Sequence, residues 1–217
     1  MTPAIDEEKM KQFFSTVMNK DKLTPAEQLI LNIQVEQRIE IAYNENTPPE
    51  ILDMLAEDWC INVAVAVAQH PNTPPEALQK LATRNEHSIR RAVAQHPNTP
   101  PETLKKLASD SSLEVREAVA KHSNTPPATL KELANDSSMF IRWEVANNPN
   151  TSPETLAKLA NDMVEDVRMA VARNPNTPPE MLKKLASYEV VEVLKAVASN
   201  PNTPPDIRDK LRAELNL

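Results

Sequence analysis

The chain has 217 residues and a formal net charge of −7, and it contains 20 prolines, one cysteine and no glycine. Without glycine it cannot build the phosphate-binding loops, dinucleotide-binding turns or nucleophile elbows on which several enzyme classes depend. The single cysteine, Cys60, excludes an internal disulfide and a CxxC metal or redox site. No apolar run is long enough to form a membrane-spanning helix, so we expect no membrane association.

The first 45 residues differ from the rest of the chain. Residues 4–19 and 24–43 are predicted to form two helices, and the second begins at a capping box made by Thr24 and Glu27. We expect residues 1–45 to form an N-terminal helical cap over the apolar end of the remaining chain. The first residues are acidic where a secretory signal is basic and then apolar, so we expect a cytoplasmic protein in a reducing compartment.

From residue 46 onward, a unit of 26 residues recurs without insertion. Each unit opens with Asn-Thr-Pro-Pro, except that Ser152 replaces one proline. Leucine, valine and alanine recur in fixed columns, and a strict period in this range is typical of a solenoid. We therefore expect residues 46–217 to form a repeat array. Its units start at Asn46, Asn72, Asn98, Asn124, Asn150 and Asn176, and a half unit starts at Asn202.

Each unit is predicted to form two short helices. In the unit 98–123, Thr99 is expected to be the N-cap, with Pro100 at the first helical position and Glu102 completing a capping box. Valine and alanine at helical spacing form one apolar face in the second half of the unit. Neither helix can bury its apolar stripe within one unit, so neighbouring units must stack. The predicted fold is an all-α solenoid of two-helix repeats.

The recurring VRxAVAxxPNTPPExLxxLA strings, such as the one from Val167 to Ala186, resemble the leucine-rich repeat variant family, a HEAT-like group of α-solenoids. The resemblance covers residues 35–217. It implies a right-handed superhelix of alternating helices, one of which per unit can be 3₁₀, and it implies an interaction scaffold. The founding type of the family also carries a cysteine-ligated iron–sulfur segment, which a chain whose only cysteine is Cys60 cannot reproduce.

Catalytic and metal-binding constellations are not found in the sequence. His70, His96 and His122 share one column, which asparagine occupies in later units. Column neighbours in a stacked array lie about 10 Å apart, too far to share a metal ion. The exchange of histidine for asparagine indicates a shared hydrogen-bonding role in the turn. We expect no enzymatic activity, no metal and no cofactor.

Arginine recurs one residue after the core valine or isoleucine of the second helix. A ladder of such arginines could bind phosphates along a nucleic acid. The alternative is that the arginines connect neighbouring repeats, which their place beside the buried stripe and the net charge of −7 both favour. The candidate phosphate-binding residues are Arg90, Arg116, Arg142 and Arg168.

Two aromatic residues occupy columns that hold mostly polar residues in other units. Phe140 and Trp143 lie three residues apart, so they share a helix face, and Met169 occupies the column of Trp143 one unit later. Tryptophan buries much area at small entropic cost, which favours a binding hot spot. The alternative is that the rings fold over the adjacent helix and seal a groove.

The sequence therefore predicts a monomeric, non-catalytic repeat scaffold that binds a protein or peptide through Phe140, Trp143 and Met169. Two alternatives stay open at this point. One is a nucleic-acid backbone binder that uses the arginine column, although nucleic acid is the less favoured partner. The other is an engineered or partnerless repeat array.

Overall fold

The structure is a computed structural model, and it describes residues 35–188 and 190–217. Within these ranges all regular structure is helical, which confirms the predicted all-α class. The chain divides into two compact units, Met1–Thr103 and Leu104–Leu217. Most of the predicted N-terminal cap lies outside the described residues, and its boundary at residue 45 stays a prediction.

Each of the six complete repeats contributes a first α-helix of seven residues and a second of nine, and the half unit contributes one of eleven. Helical residues 35–43 precede the first of them. The helices are α1 (Pro49–Leu55), α2 (Ile61–Gln69), α3 (Pro75–Leu81), α4 (His87–Gln95), α5 (Pro101–Leu107), α6 (Leu113–Lys121), α7 (Pro127–Leu133), α8 (Met139–Asn147), α9 (Pro153–Leu159), α10 (Glu165–Arg173), α11 (Pro179–Leu185), α12 (Val191–Ser199) and α13 (Pro205–Leu215). None of those within residues 35–188 and 190–217 is long and apolar enough to cross a membrane.

The first helices begin one residue later than the sequence predicted. In four of the Pro-Pro pairs the first proline is an N-cap with extended backbone and the second is the first helical residue, as at Pro48 and Pro49. Thr99 is buried, and its hydroxyl donates to the carbonyl oxygen of Val93 at 2.5 Å, so the predicted capping box is wrong. A residue that precedes proline is held extended, and in a Pro-Pro pair that residue is itself a proline.

The threonine of each Asn-Thr-Pro-Pro motif closes the preceding second helix. In all seven motifs its hydroxyl donates to the carbonyl oxygen six residues earlier at 2.5–2.6 Å. This bond satisfies one of the last carbonyls of the helix, which have no partner inside it. Ser152, the exception to the proline columns, caps α9 by accepting from the N–H of Thr155 at 3.3 Å.

The second helices carry most of the packing between repeats. In the first compact unit, α2 packs against α4. In the second unit, α6, α8, α10 and α12 pack in succession, and α13 packs against α12. The predicted valine column is fully buried between them at Val67, Val93, Val119, Val145, Val171 and Val197. This arrangement confirms that stacking, rather than any single repeat, buries the apolar stripes.

Candidate functional site

The histidine column lies in the turn that follows each second helix. Nε2 of His96 lies 2.9 Å from the carbonyl oxygen of His70, and Nδ1 of His96 accepts from the N–H of Asn98 at 3.1 Å. Because a backbone N–H can only donate, Nδ1 carries no proton and Nε2 donates to the carbonyl. The rings of His70 and His96 each connect their own turn to the turn one repeat earlier.

Asparagine reproduces this pattern in later repeats. Nδ2 of Asn174 donates to the carbonyl oxygens of Ala146 at 2.7 Å and Asn148 at 3.1 Å, and Oδ1 accepts from the N–H of Asn176 at 2.9 Å. The predicted hydrogen-bonding role of the column is confirmed. Within the described part of the chain, no group of three or more histidine, cysteine or acidic side chains could hold a metal ion.

The arginine column pairs with aspartates twenty residues later. Nε of Arg142 lies 2.6 Å from Oδ2 of Asp162, and Nη2 donates to Oδ1 at 3.0 Å. Nη1 donates to the carbonyl oxygens of Asp136 at 2.9 Å and Ser137 at 3.2 Å. Arg116 meets the carboxylate of Asp136 in the same way, at 2.8 and 3.3 Å. We call this series the arginine–aspartate ladder, and each rung joins one repeat to the next.

Two aspartates of the ladder, Asp136 and Asp162, have lowered pKa values. Burial by itself raises the pKa of Asp162, but the guanidinium of Arg142 and the N–H of Val164, 2.9 Å from Oδ1, together lower it. The side chains of Arg142 and Asp162 are only 13% and 8% exposed. A phosphate would therefore have to displace a charged carboxylate from a nearly buried pair before it could bind this guanidinium.

The ladder of the first compact unit contains an exchanged rung. Nε of Arg38 lies 2.5 Å from Oδ2 of Asp58, but the next column position is Ala64 rather than arginine. Twenty residues after Ala64 the expected aspartate is Arg84, and its Nη1 donates to the carbonyl oxygen of Asp58 at 2.7 Å. Arg84 thus supplies the guanidinium that Ala64 lacks. The two changes are visible in the sequence, but only when the arginine column is compared with the column twenty residues later.

The remaining two candidate phosphate-binding arginines also contact protein groups. Nη1 of Arg168 donates to the carbonyl oxygen of Asp162 at 2.7 Å, and its guanidinium carbon lies 4.7 Å from the ring centroid of Tyr188. Tyr188 stands where earlier rungs have aspartate, so a cation–π contact replaces the ion pair. Nη1 of Arg90 donates to the carbonyl oxygen of Arg84 at 2.8 Å.

The two aromatic residues lie on α8, in the second compact unit. Phe140 is 60% exposed, and Trp143 is half-buried one turn later on the same face. Met169, also half-buried, lies on α10, which packs against α8. Ile141, which lies between Phe140 and Trp143 in the sequence, is fully buried. The side of α8 that faces the core is therefore not the side that carries the two rings. We call Phe140, Trp143 and Met169 the aromatic patch.

Helix α8 carries a third unusual residue, Glu144, which sequence reasoning missed. Its side chain is 11% exposed, and its carboxylate lies 3.0 Å from Nζ of Lys121 on α6. Burial raises the pKa of Glu144, and the ion pair with Lys121 offsets this only in part. A comparison of the core columns would have found it. The same column holds Ala66, Ala92, Ala118, Ala170 and Ala196 in the other repeats.

Replacing Glu144 with alanine is expected to raise the free energy of unfolding by about 0.5–1 kcal/mol near neutral pH, because a largely buried carboxylate gives way to a good helix former. A raised native pKa means that the wild type gains stability as the pH falls from neutral through that pKa toward the ordinary value of 4.5. The advantage of the variant should therefore shrink in acid. Urea unfolding of both proteins at neutral and acidic pH measures the difference. A variant less stable than wild type at neutral pH would show that the Lys121 ion pair outweighs burial.

Comparison with known families agrees with this repeat architecture. A model described as the leucine-rich repeat variant domain matches residues 62–123 and 141–198, together more than half of the chain. A second model, described as leucine-rich repeat variant, matches residues 113–138. The chain belongs to the leucine-rich repeat variant family. The predicted resemblance is thus confirmed.

Solved structures similar to this leucine-rich repeat variant array include a leucine-rich repeat variant with a novel repetitive structural motif. It is 26% identical, with a TM-score of 0.55, and the match covers 77% of this chain and 72% of that one. An engineered protein matches with 18% identity and a TM-score of 0.39, over 84% and 95% of the two chains. A computationally designed armadillo repeat protein for modular peptide recognition matches with 18% identity and a TM-score of 0.32, over 94% and 97%. No curated protein matches this chain.

Proposed function

We propose that this leucine-rich repeat variant array is a non-catalytic scaffold that binds a protein or a peptide through the aromatic patch. The proposal depends on Phe140, a large ring that is 60% exposed in a column where other repeats carry polar residues. The half-buried Trp143 one turn later on α8, and Met169 on the neighbouring helix α10, add apolar area. Aromatic and methionine side chains are enriched at protein interfaces, and tryptophan is among the strongest hot-spot residues.

The nearly buried position of the Glu144 carboxylate supports the same location. Phe140, Trp143 and Glu144 are three departures from the repeat pattern within one helix of nine residues. Two place apolar area on the surface, and the third buries a carboxylate whose pKa is raised. Residues that depart from the sequence pattern of a fold lie most often at functional sites, where activity or binding is gained at the expense of folding stability. The concentration of departures in α8 therefore favours a binding role over a merely solvent-exposed face.

Replacing Phe140 and Trp143 together with alanine is expected to weaken partner binding by about 30-fold or more, because even one hot-spot side chain contributes about 2 kcal/mol or more. The partner would be isolated by affinity capture with the full chain, identified by mass spectrometry and then measured by direct titration. Helix content should stay unchanged in circular dichroism, since neither ring belongs to the buried core.

Met163→Ala provides the matched control. Met163 is 90% exposed in the turn between α9 and α10, so it is an exposed apolar side chain outside the aromatic patch. This variant should bind the partner like the wild type. Equal losses in both variants would contradict a role for the aromatic patch, and so would a double variant that loses much of its stability, which would make the rings structural.

The ladder contacts favour this function over nucleic-acid binding. Arg116 and Arg142 already hold the carboxylates of Asp136 and Asp162 at 2.8 and 2.6 Å, and the chain has a net charge of −7. We expect no mobility shift of DNA or RNA oligonucleotides at low salt, the condition that strengthens phosphate contacts most. A shift that disappears in Arg142→Ala would favour the arginine column instead.

A further inference from the structure

The surface around the aromatic patch carries an excess of negative charge. Apart from Arg116 and Arg142, whose charges are paired with aspartates of the ladder, helices α6, α8, α10 and α12 bear six acidic and four basic side chains. Two of the basic residues, Lys121 and Arg173, lie in the last turns of their helices. The acidic residues are Glu114, Glu117, Glu144, Glu165, Asp166 and Glu192. A partner that binds this surface meets a net negative field, which attracts cations and repels anions.

Acidic side chains lie on both sides of Phe140. Glu114 on α6 and Asp166 on α10 occupy the same column as Phe140 on α8, and all three side chains are exposed. Glu192 continues the column on α12 and is exposed as well. Because α6, α8, α10 and α12 pack in succession, this column forms a row that runs across the helices. The row therefore reads acidic, aromatic, acidic, acidic.

The distance between neighbouring side chains in this row determines the distance between the side chains of a peptide that binds along it. Packed helices lie about 8–10 Å apart, so the carboxylates of Glu114 and Asp166 stand one helix spacing on either side of Phe140. A peptide in the polyproline II conformation advances about 3.1 Å per residue and completes a turn every three residues, so residues three positions apart face the same side and span about one helix spacing. A ligand side chain seated on Phe140 thus places the residues three positions before and after it above the two carboxylates.

We infer that the partner segment is a peptide in the polyproline II conformation, with a bulky apolar side chain flanked three residues away on each side by lysine or arginine. This inference rests on the proposed function and deepens it. The apolar side chain contacts Phe140 and Trp143, and the flanking cations meet Glu114 and Asp166. An acidic peptide or a nucleic-acid backbone would meet like charge at both flanks.

Selection of random seven-residue peptides, displayed on phage, against the immobilised full chain tests the inference. Peptides that are enriched should carry an apolar residue with lysine or arginine three positions before and after it. Synthetic copies should bind at least 10-fold more weakly to Glu114→Lys/Asp166→Lys than to wild type, and the affinity for wild type should fall as salt is added. Glu132→Lys/Glu180→Lys is the matched control, because it changes the net charge equally at exposed positions of α7 and α11.

The outcomes separate this inference from the proposed function. Enriched peptides without basic residues that still require Phe140 and Trp143 would overturn the inference and leave the proposed function standing. Equal losses in the two charge-reversal variants would also overturn it, because binding would then follow net charge alone. Enrichment that is unaffected by Phe140→Ala/Trp143→Ala, or no enrichment at all, would overturn both.

Discussion

Arg142→Ala is expected to lower the free energy of unfolding by about 2–4 kcal/mol, one of the largest effects of any single substitution in the array. The change leaves the carboxylate of Asp162, whose side chain is 8% exposed, without its guanidinium partner. It also removes the donors to the carbonyl oxygens of Asp136 and Ser137. A nearly buried charge without a partner is costly, and each unpaired carbonyl adds to that cost.

The exchanged rung of the first compact unit provides the rescue. Ala64 and Arg84 correspond in the repeat to Arg142 and Asp162, and Arg84 donates to the carbonyl oxygen of Asp58 at 2.7 Å. In Arg142→Ala/Asp162→Arg the new arginine can reach the equivalent carbonyl of Asp136. We expect the double variant to recover most of the lost stability, because it removes the unpaired carboxylate and restores a donor.

Urea unfolding followed by circular dichroism compares wild type, Arg142→Ala and the double variant. Arg142→Lys is a further control, since lysine keeps the charge but cannot make the bidentate contact. A single variant as stable as the wild type would refute the structural role of the ladder. A double variant less stable than the single variant would show that rungs cannot be exchanged in this way.

Asn174→Ala is expected to cost about 3 kcal/mol, because it removes three hydrogen bonds from a buried turn at once. The amide of Asn174 donates to the carbonyl oxygens of Ala146 and Asn148 and accepts from the N–H of Asn176. Alanine can replace none of these bonds, and its smaller volume leaves space where the amide lay.

Asn174→His is the matched variant, and its expected cost is about 1 kcal/mol or less. Histidine in the same column of the first compact unit keeps a ring contact to the turn one repeat earlier and accepts from the N–H two residues later, as His96 does with His70 and Asn98. Chemical denaturation at neutral pH measures both variants. Equal losses for alanine and histidine would contradict the equivalence of the two side chains.

The repeat columns made most of the fold predictable. Leucine, valine and alanine at fixed positions locate two helices per unit, and the structure buries those columns as expected. The predicted helix starts are one residue early, because Thr99 resembles an N-cap when its own motif is considered alone. Its hydroxyl in fact serves the preceding helix, through the carbonyl oxygen of Val93. Composition alone cannot distinguish a threonine that begins a helix from one that closes another.

Contacts between repeats were the least predictable part of the candidate site. The pairing of Arg116 with Asp136 joins residues twenty positions apart, and only the stacked structure brings them within 2.8 Å. Glu144 escapes prediction for a different reason, since it is a polar residue in an alanine column, whereas the hot-spot argument selects aromatic residues in polar columns. Phe140 is predictable because its column is otherwise polar, and the structure places it at the surface.

The ladder also restricts which repeats can follow one another. A repeat with arginine in the arginine column is followed by one that carries a partner for it, such as Asp162 for Arg142. Tyr188 is the partner of Arg168. The repeat that contains Ala64 is instead followed by one with Arg84. Duplicating a unit that carries both the aspartate and the arginine, such as the unit with Asp136 and Arg142, preserves every junction, because donor and acceptor are copied together. Duplicating only one of the two units that share the exchanged rung would place two units next to each other whose side chains cannot form a rung. Such an array therefore grows by gene duplication more easily among the units that carry both aspartate and arginine than at the exchanged rung.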